Sequence, residues 1–184
     1  MISQDFKIFC VIPAFNEEKN ILEVINSVKL YVSEIVVVDD GSEDGTENLV
    51  ETQNIASLRR HIVNRGQGAA LETGTRYALM KGADIIVHFD ADGQFLAEEI
   101  KDMIEPIKRG EADAVFGSRF LEKESGMPIF KKNIIMPLAR LANLIFLGVK
   151  LTDPQNGFRA LSREAVKKIR IKQDGMSHCS EILY

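Results

Sequence analysis

The chain has 184 residues, of which 45% are apolar and 27% are charged, and its formal charge is −4. This composition is that of an ordinary globular protein, which excludes a disordered or fibrous chain, and it lacks the basic excess of a nucleic-acid-binding domain. The two cysteines do not suggest a disulfide framework, and Cys10, inside an apolar run, is predicted to be a core residue. We therefore expect a cytoplasmic protein.

Short β-branched runs alternate with helical patterns along most of the chain. The apolar periodicity predicts strands over residues 6–12, 34–39, 58–63, 84–89 and 113–116, and helices over residues 17–30, 46–55, 67–81 and 97–108. Nearly continuous apolar strands that alternate with helices are typical of a mainly parallel central sheet with helices on both faces. We predict one Rossmann-like α/β domain.

The pattern changes after Gly117. A helix is predicted over residues 133–147, and another over residues 162–169 with Ser162 as its N-cap. The N-terminus lacks the basic start of a signal peptide, and the interrupted apolar region 133–149 is too short for a transmembrane helix. Because the chain stops at Tyr184 within a predicted element, we expect the native protein to continue.

Polar clusters follow each of the first four predicted strands: PAFNEE, DDGSEDGT, NRGQGAA and DADGQ. In an open parallel sheet, ligands bind beyond the carboxyl ends of the strands, which meet at one edge. A single cluster is compatible with turn chemistry alone, whereas four clusters at the same edge predict a binding site.

Asp90 and Asp92 follow an apolar strand and precede Gly93, which permits a tight turn. Carboxylates at this position suit a hard divalent cation, which proteins commonly bind through one or two carboxylates together with substrate phosphates. Gln94 could add a neutral oxygen or an amide contact. A surface turn explains the same residues, since Asp and Gly are common in turns.

The second cluster also has two interpretations. Asp40 is placed to accept hydrogen bonds from a base or a ribose hydroxyl, as carboxylates do in dinucleotide-binding folds. Alternatively, Ser42, Asp44 or Thr46 caps the following helix, and both roles are compatible with each other.

In the third cluster, Gly66 and Gly68 permit the backbone to approach a ligand, although a plain strand-to-helix turn fits equally well. Other nucleotide signatures are absent from the sequence, which contains neither a G-x-x-x-x-G-K-[ST] loop nor a G-x-G-x-x-G turn after the first strand. The three histidines are too scattered to indicate a zinc site, and His88 is predicted to be a core side chain.

Taken in order, six motifs resemble glycosyltransferase family 2, and within it the dolichol-phosphate mannose synthase-like and other polyprenyl-phosphate glycosyltransferases. The motifs are VIPAFNEEKNI, IVVVDDGSEDGT, NRGQGAALETG, FDADGQF, GSRF and DPQNGFRAL. The resemblance implies a GT-A fold, a nucleotide-diphosphate sugar donor, a Mg²⁺ or Mn²⁺ ion and inversion at the anomeric carbon. On this basis we expect residues 1–184 to form a single GT-A-like catalytic domain.

The resemblance also implies roles for individual residues. Asp90 and Asp92 match a D-x-D motif, with Asp92 nearest the metal and Gln94 beside it. Arg119 and Arg159 become candidates for phosphate contacts, because a planar guanidinium matches phosphate oxygens. The nucleotide-sugar pocket is expected to contain Pro13, Ala14, Asn16, Glu17, Asp40, Asn64, Gly68 and Asp90.

One residue departs from the resemblance. Many relatives carry Lys at the position of Gln67, so a cationic contact to the donor diphosphate is missing here.

The acceptor remains open between two classes. A lipid monophosphate is already anionic and requires no general base. A hydroxyl requires a carboxylate to take its proton, for which Asp153 is the first candidate by resemblance and Glu181 the second.

The segment 130–149 bears on this choice. Lys131 and Lys132 precede an apolar stretch, which suits a peripheral contact with the cytosolic face of a membrane, although a core helix or a dimer contact fits equally well. We expect transfer of a hexose to a polyprenyl phosphate. Transfer to a hydroxyl and a non-catalytic nucleotide-sugar binding module are the alternatives, and the sequence leaves the base, the sugar and any homo-oligomer undetermined.

Overall fold

The computed structural model describes residues 5–118 and 156–175. The predicted helix over residues 133–147 and the candidate residues Arg119 and Asp153 lie outside this range. The strands are β1 (Ile8–Ala14), β2 (Glu34–Asp39), β3 (Ser57–Arg60), β4 (Ile85–His88), β5 (Ala114–Phe116) and β6 (Arg159–Ser162). The helices are α1 (Ile21–Val28), α2 (Thr46–Gln53), α3 (Gln67–Met80), α4 (Ile100–Lys108), which a 3-10 turn at Ala97–Glu99 precedes, and α5 (Arg163–Lys168).

The strands form one sheet in the order β3-β2-β1-β4-β6-β5. β1 pairs in parallel with β2 and β4, and β2 pairs in parallel with β3. β6 is antiparallel to both of its neighbours, β4 and β5. The mainly parallel sheet is confirmed. The sequence analysis does not predict β6, because this strand is only four residues long, has no β-branched residue and follows a turn-rich loop.

Helices cover both faces of the sheet, as predicted. Cys10 and Ile12 of β1 pack on the side of α1 and α4, whereas Phe9 and Val11 pack on the side of α3 and α5. Cys10 is fully buried in this core, and burial raises the pKa of its thiol. Within residues 5–118 and 156–175, no helix is long and apolar enough to cross a bilayer.

Two strands differ from their predicted limits by more than one residue at an end. β1 extends through Pro13, which has no backbone N–H to donate. The nitrogen of Pro13 faces β4, and the pairing between β1 and β4 has already ended at Val11. β3 ends at Arg60, three residues before its predicted end. Ile62 and Val63, which suggested a longer strand, are 98% and 63% exposed in the loop that follows.

The helices end close to their predicted limits, but α1 begins at Ile21, four residues later than predicted. The predicted cap of α5 is confirmed, because Ser162 Oγ accepts a hydrogen bond of 3.1 Å from the Ala165 N–H. His88 is a buried side chain, as predicted, and its Nε2 lies 2.9 Å from the Thr75 hydroxyl on α3.

Candidate active site

A cleft of about 370 Å³ opens at the carboxyl ends of β1, β2 and β4. All four polar clusters of the sequence contribute to it, because the segments after parallel strands emerge at the same edge of the sheet. The cleft is lined by Pro13, Ala14, Phe15, Glu17, Asp40, Asn64, Gly66, Gln67, Ala70, Asp90, Ala91 and Asp92.

The loops after β1 and β2 are tied together by side chains of one loop that bind the backbone of the other. Asn16, which has a left-handed φ of 56°, accepts a hydrogen bond of 2.9 Å at its Oδ1 from the Glu43 N–H. In the other direction, Ser42 Oγ, Thr46 Oγ1 and Asp44 Oδ2 accept hydrogen bonds of 2.9, 2.8 and 3.1 Å from the N–H groups of Asn16, Glu17 and Glu18.

In the loop after β1, these contacts all precede α1, which begins at Ile21. Asp44 also accepts hydrogen bonds from the Thr46 N–H at 3.0 Å and the Thr46 hydroxyl at 2.5 Å. Desolvation raises the pKa of the Asp44 carboxyl, but the hydrogen bonds from Thr46 and Glu18 together outweigh it, and the pKa lies below its ordinary value. The polar residues of the second cluster other than Asp40 therefore shape the cleft indirectly.

Asp40 lines the cleft, and its side chain is buried. Its Oδ1 lies 2.6 Å from His61 Nδ1. The Gly66 N–H donates to Oδ2 at 2.6 Å, and the Arg65 N–H lies 3.1 Å from each oxygen. The carboxylate thus fixes the turn between β3 and α3. Its expected contact with a base or ribose stays a prediction.

Asp90 is the second residue after β4, and its carboxylate is held from two sides. Its Oδ1 accepts a hydrogen bond of 2.7 Å from the side-chain amide of Gln67, the first residue of α3. On the other side, the carboxylate lies so close to Gly157 that a Cβ at this position would overlap it. Both contacts fix the position of the Asp90 carboxylate at the edge of the cleft.

Asp92 is exposed, and its Oδ1 accepts a hydrogen bond of 3.0 Å from the Gln94 N–H. No group of three His, Cys, Asp or Glu side chains that could hold a metal ion occurs within residues 5–118 and 156–175. Two carboxylates at the cleft still fit Mg²⁺ or Mn²⁺, because such ions are often held by one or two carboxylates with substrate phosphates and water completing the shell. The donor set is therefore compatible with a cation that binds together with a diphosphate.

Arg159, the first residue of β6, is fully buried next to His88 of β4 in the sheet register. Its Nε donates a hydrogen bond of 2.9 Å to the backbone carbonyl of Asn156. The terminal nitrogens Nη1 and Nη2 are buried and have no hydrogen-bond partner among residues 5–118 and 156–175. An unpaired buried guanidinium is costly to fold, so this side chain is a candidate for binding an anion.

The N-terminus of α3 lies beside the cleft, but its first amides are already bound. The Asp174 carbonyl accepts hydrogen bonds from the Gly68 N–H at 2.8 Å and the Ala69 N–H at 3.3 Å. Glycine is required at positions 66 and 68, since a Cβ at either would overlap a carbonyl of residues 173–174. In this structure Gly68 therefore permits the approach of the chain's own C-terminal segment.

The predicted site residues separate into three groups. Asn16, Gly68, Gln94 and Arg159 are not among the lining residues, and Arg119 and Asp153 lie outside the described residues. Phe15 and Ala70 line the cleft without having been assigned a role, and Phe15 had a signal in the sequence as an aromatic residue directly after a strand. The residues that line the cleft as predicted are Pro13, Ala14, Glu17, Asp40, Asn64, Asp90 and Asp92.

The sequence profile of glycosyl transferase family 2 matches residues 9–170, which include all of the strands and helices described above except Ile8, the first residue of β1. The chain belongs to this family. A UDP-N-acetylglucosamine–dolichyl-phosphate N-acetylglucosaminyltransferase of Methanococcus voltae is 34% identical over 97% of this chain and 79% of its own length. A polyprenol monophosphomannose synthase of Mycolicibacterium smegmatis is 31% identical over 94% of this chain and 68% of its own length.

Solved structures of the family agree with the fold. The glucosyl-3-phosphoglycerate synthase of Mycobacterium tuberculosis, in complex with Mn²⁺, UDP-glucose and phosphoglyceric acid, superposes with a TM-score of 0.74 at 25% identity. The match covers 97% of this chain but only 64% of the synthase. The family 2 chain described here is thus a glycosyltransferase with a GT-A fold, related to polyprenyl-phosphate sugar transferases.

Proposed function

We propose that this glycosyltransferase transfers a hexose, with inversion, from a nucleotide-diphosphate sugar to a polyprenyl phosphate at the cytosolic face of a membrane. The observation that carries the proposal is the carboxylate pair at the cleft, in which Asp90 is fixed by Gln67 and Asp92 is exposed. The M. voltae relative, named for transfer to dolichyl phosphate, and the M. smegmatis relative, named for synthesis of polyprenol monophosphomannose, support the acceptor class.

The donor would lie in the cleft, with its nucleoside between the segments that follow β1, β2 and β3. Phe15 is 44% exposed and offers an aromatic face to a base, while Asn64 offers polar atoms. Asp92, with Asp90 and Gln94 nearby, would hold a Mg²⁺ or Mn²⁺ ion against the donor diphosphate. When bound, such an ion supplies Lewis-acid stabilisation of charge on the leaving diphosphate.

Arg159 supports a phosphate-bearing ligand. Its two terminal nitrogens have no partner in the described part of the chain, and they would donate charge-assisted hydrogen bonds to phosphate oxygens, which would offset the cost of burying the guanidinium. β6 runs antiparallel to β4, so Arg159 lies at the same edge of the sheet as Asp90 and Asp92. Arg119 and Asp153 remain candidates from the resemblance alone.

The reaction is a substitution at the anomeric carbon. An oxygen of the acceptor phosphate forms the new bond to that carbon from the face opposite the diphosphate. The bond to the diphosphate oxygen breaks, and the nucleoside diphosphate leaves with the bonding electrons. Because a phosphate monoester is largely deprotonated near neutral pH, with a second pKa of about 6, no side chain has to remove a proton.

A second candidate function is transfer to a hydroxyl of a small phosphorylated acceptor. The structure of the M. tuberculosis synthase in complex with UDP-glucose and phosphoglyceric acid favours it. In this case a carboxylate would have to accept the hydroxyl proton, and Asp153 is the first candidate.

The test is a transfer assay with a panel of UDP- and GDP-hexoses, Mg²⁺ or Mn²⁺, and either a polyprenyl phosphate or 3-phosphoglycerate. We expect a glycolipid from the polyprenyl phosphate and loss of at least about 100-fold in kcat/KM in Asp92→Asn. Asp102→Asn, on the exposed face of α4, is the matched control and should behave as the wild type.

Each other outcome has a defined meaning. Transfer only to 3-phosphoglycerate would favour the second candidate, and nucleotide binding without any transfer would favour a binding module. Full activity of Asp92→Asn would overturn the assignment of the cation to Asp92.

A further inference from the structure

His61 connects three parts of the protein that meet behind the cleft, although it is not among the lining residues. It directly follows β3, and its side chain is only 9% exposed. Nδ1 lies 2.6 Å from Asp40 Oδ1, and Nε2 lies 2.8 Å from the Thr73 hydroxyl on α3. The imidazole thus joins the end of β2 to the second turn of α3.

The partners determine how the ring bonds. A carboxylate only accepts hydrogen bonds, so Nδ1 must carry a proton. In the neutral ring Nε2 then accepts from the Thr73 hydroxyl, and in the charged ring it donates to the same oxygen. Either protonation state therefore keeps the ring bound to Asp40.

Asp40 passes this constraint on to the turn at residues 64–66. Its carboxylate accepts the N–H groups of Arg65 and Gly66, and Gly66 reaches the required geometry at a left-handed φ of 101°. Gly41 packs under the same turn, since a Cβ there would lie 2.9 Å from the Asn64 nitrogen. Asn64 and Gly66 line the cleft, so their placement depends on the carboxylate that His61 holds.

We propose that His61 is a positioning residue for donor binding. It fixes the rotamer of Asp40, and through Asp40 it fixes the backbone turn at residues 64–66 that would contact the nucleoside. This inference rests on the proposed function, because it assigns the cleft to a nucleotide donor. It predicts an effect on donor affinity, not on the bond-forming step, since His61 reaches no cleft-lining surface.

The experiment compares three variants that remove different bonds. His61→Phe keeps the bulk and loses both hydrogen bonds. His61→Asn retains a side-chain amide near the place of Nδ1 and loses only the bond to Thr73, and Thr73→Val loses that same bond from the other side. Thr52→Val, which removes an exposed hydroxyl of α2, is the matched control.

Four quantities are measured: the Kd for UDP and GDP by calorimetry, the donor KM, kcat, and the amide ¹H–¹⁵N shift of Gly66. In His61→Phe we expect the Kd and KM to rise about tenfold, which corresponds to the loss of one charge-assisted hydrogen bond, while kcat changes less than about twofold. His61→Asn should recover most of the affinity and most of the wild-type Gly66 shift. Thr73→Val should lie close to His61→Asn.

Several results would overturn the proposal. One is an unchanged Kd in His61→Phe together with a changed amide shift of Gly66. Another is an unchanged amide shift of Gly66 in the same variant. A fall in kcat at constant donor KM would also contradict it. If His61→Phe does not fold, His61→Gln carries the same test, because its side-chain amide lies near the place of Nε2, keeps the bond to Thr73 and loses the bond to Asp40. A wild type that binds neither nucleotide would overturn the proposed function instead, and the positioning of the turn is then judged by the Gly66 shift alone.

Discussion

The side-chain amide of Gln67 donates a hydrogen bond of 2.7 Å to Asp90 Oδ1, so a neutral group at the start of α3 fixes one carboxylate of the D-x-D pair. This amide donates to the carboxylate oxygen without placing a positive charge beside it. A lysine at the same position would place an ammonium there and reduce the attraction for a cation.

Gln67→Lys is expected to weaken the binding of Mn²⁺ in the absence of nucleotide. The unit charge of a lysine about 5 Å from the doubly charged ion in a water-like dielectric costs about 1.7 kcal/mol, or about 17-fold in Kd. Mn²⁺ titration followed by electron paramagnetic resonance measures the change. Gln67→Met, which removes the hydrogen bond without adding charge, separates the two effects. Equal Kd values for Gln67→Lys and Gln67→Met would contradict the electrostatic explanation.

Gly157→Ala is expected to displace Asp90, because the added methyl would overlap its carboxylate. We expect a loss of about 1–3 kcal/mol in the free energy of unfolding, as for other overpacked sites, together with weaker Mn²⁺ binding. Urea unfolding and Mn²⁺ titration measure the two effects. Gly175→Ala is the control, since a Cβ there meets no atom within 4 Å. Wild-type values in Gly157→Ala would show that the loop at Gly157 shifts without cost.

Arg159→Met is expected to raise stability and abolish transfer. The substitution removes a buried charge whose terminal nitrogens have no partner among the described residues and replaces it with an apolar side chain of similar length. Replacing poorly compensated buried charges in this way is often neutral or stabilising by about 1–4 kcal/mol. Urea unfolding and the transfer assay are measured together, with the exposed Arg109→Met as control. A strongly destabilised variant would mean that the guanidinium has a structural role instead.

Asp44→Asn tests the hydrogen bonds between the loops after β1 and β2 through the pH dependence of the free energy of unfolding. The pKa of Asp44 is lower in the folded protein than its ordinary value, so its contribution to stability is present above that value and is lost as the pH falls through the lowered one. We expect Asp44→Asn to be less stable than the wild type near neutral pH by less than about 1 kcal/mol. The difference should shrink below about pH 4. Urea unfolding across this range measures it, and a difference that is constant with pH would contradict the assignment.

The sequence alone predicts the order and type of most elements, because apolar periodicity is a local property. β2 agrees with its predicted limits, and α2, α3 and α5 agree to within two residues. The misjudged parts depend on tertiary context. The amides of Glu17 and Glu18 are bound by another loop just before α1, and Ile62 is apolar but exposed.

The position of the cleft could be predicted from the sequence, but the contacts that each side chain makes within it could not. Strand-end clusters predict where polar side chains gather, and seven of the assigned residues line the cleft. The pattern cannot show that Ser42 and Thr46 bind the backbone of the loop after β1. Nor can it show that the backbone amides of residues 65 and 66 donate to the Asp40 carboxylate. These contacts join residues that are about 25 positions apart, and no local signal encodes them.

β5 ends at Phe116 and β6 begins at Arg159, and the residues next to these two ends are joined, because the Gly117 N–H donates to the Phe158 carbonyl at 2.9 Å. Since the ends of the intervening sequence are held together, a change in its length adds little to the entropic cost of closing it. We therefore expect insertions or deletions between residues 118 and 156 to leave the strands that position the cleft in place.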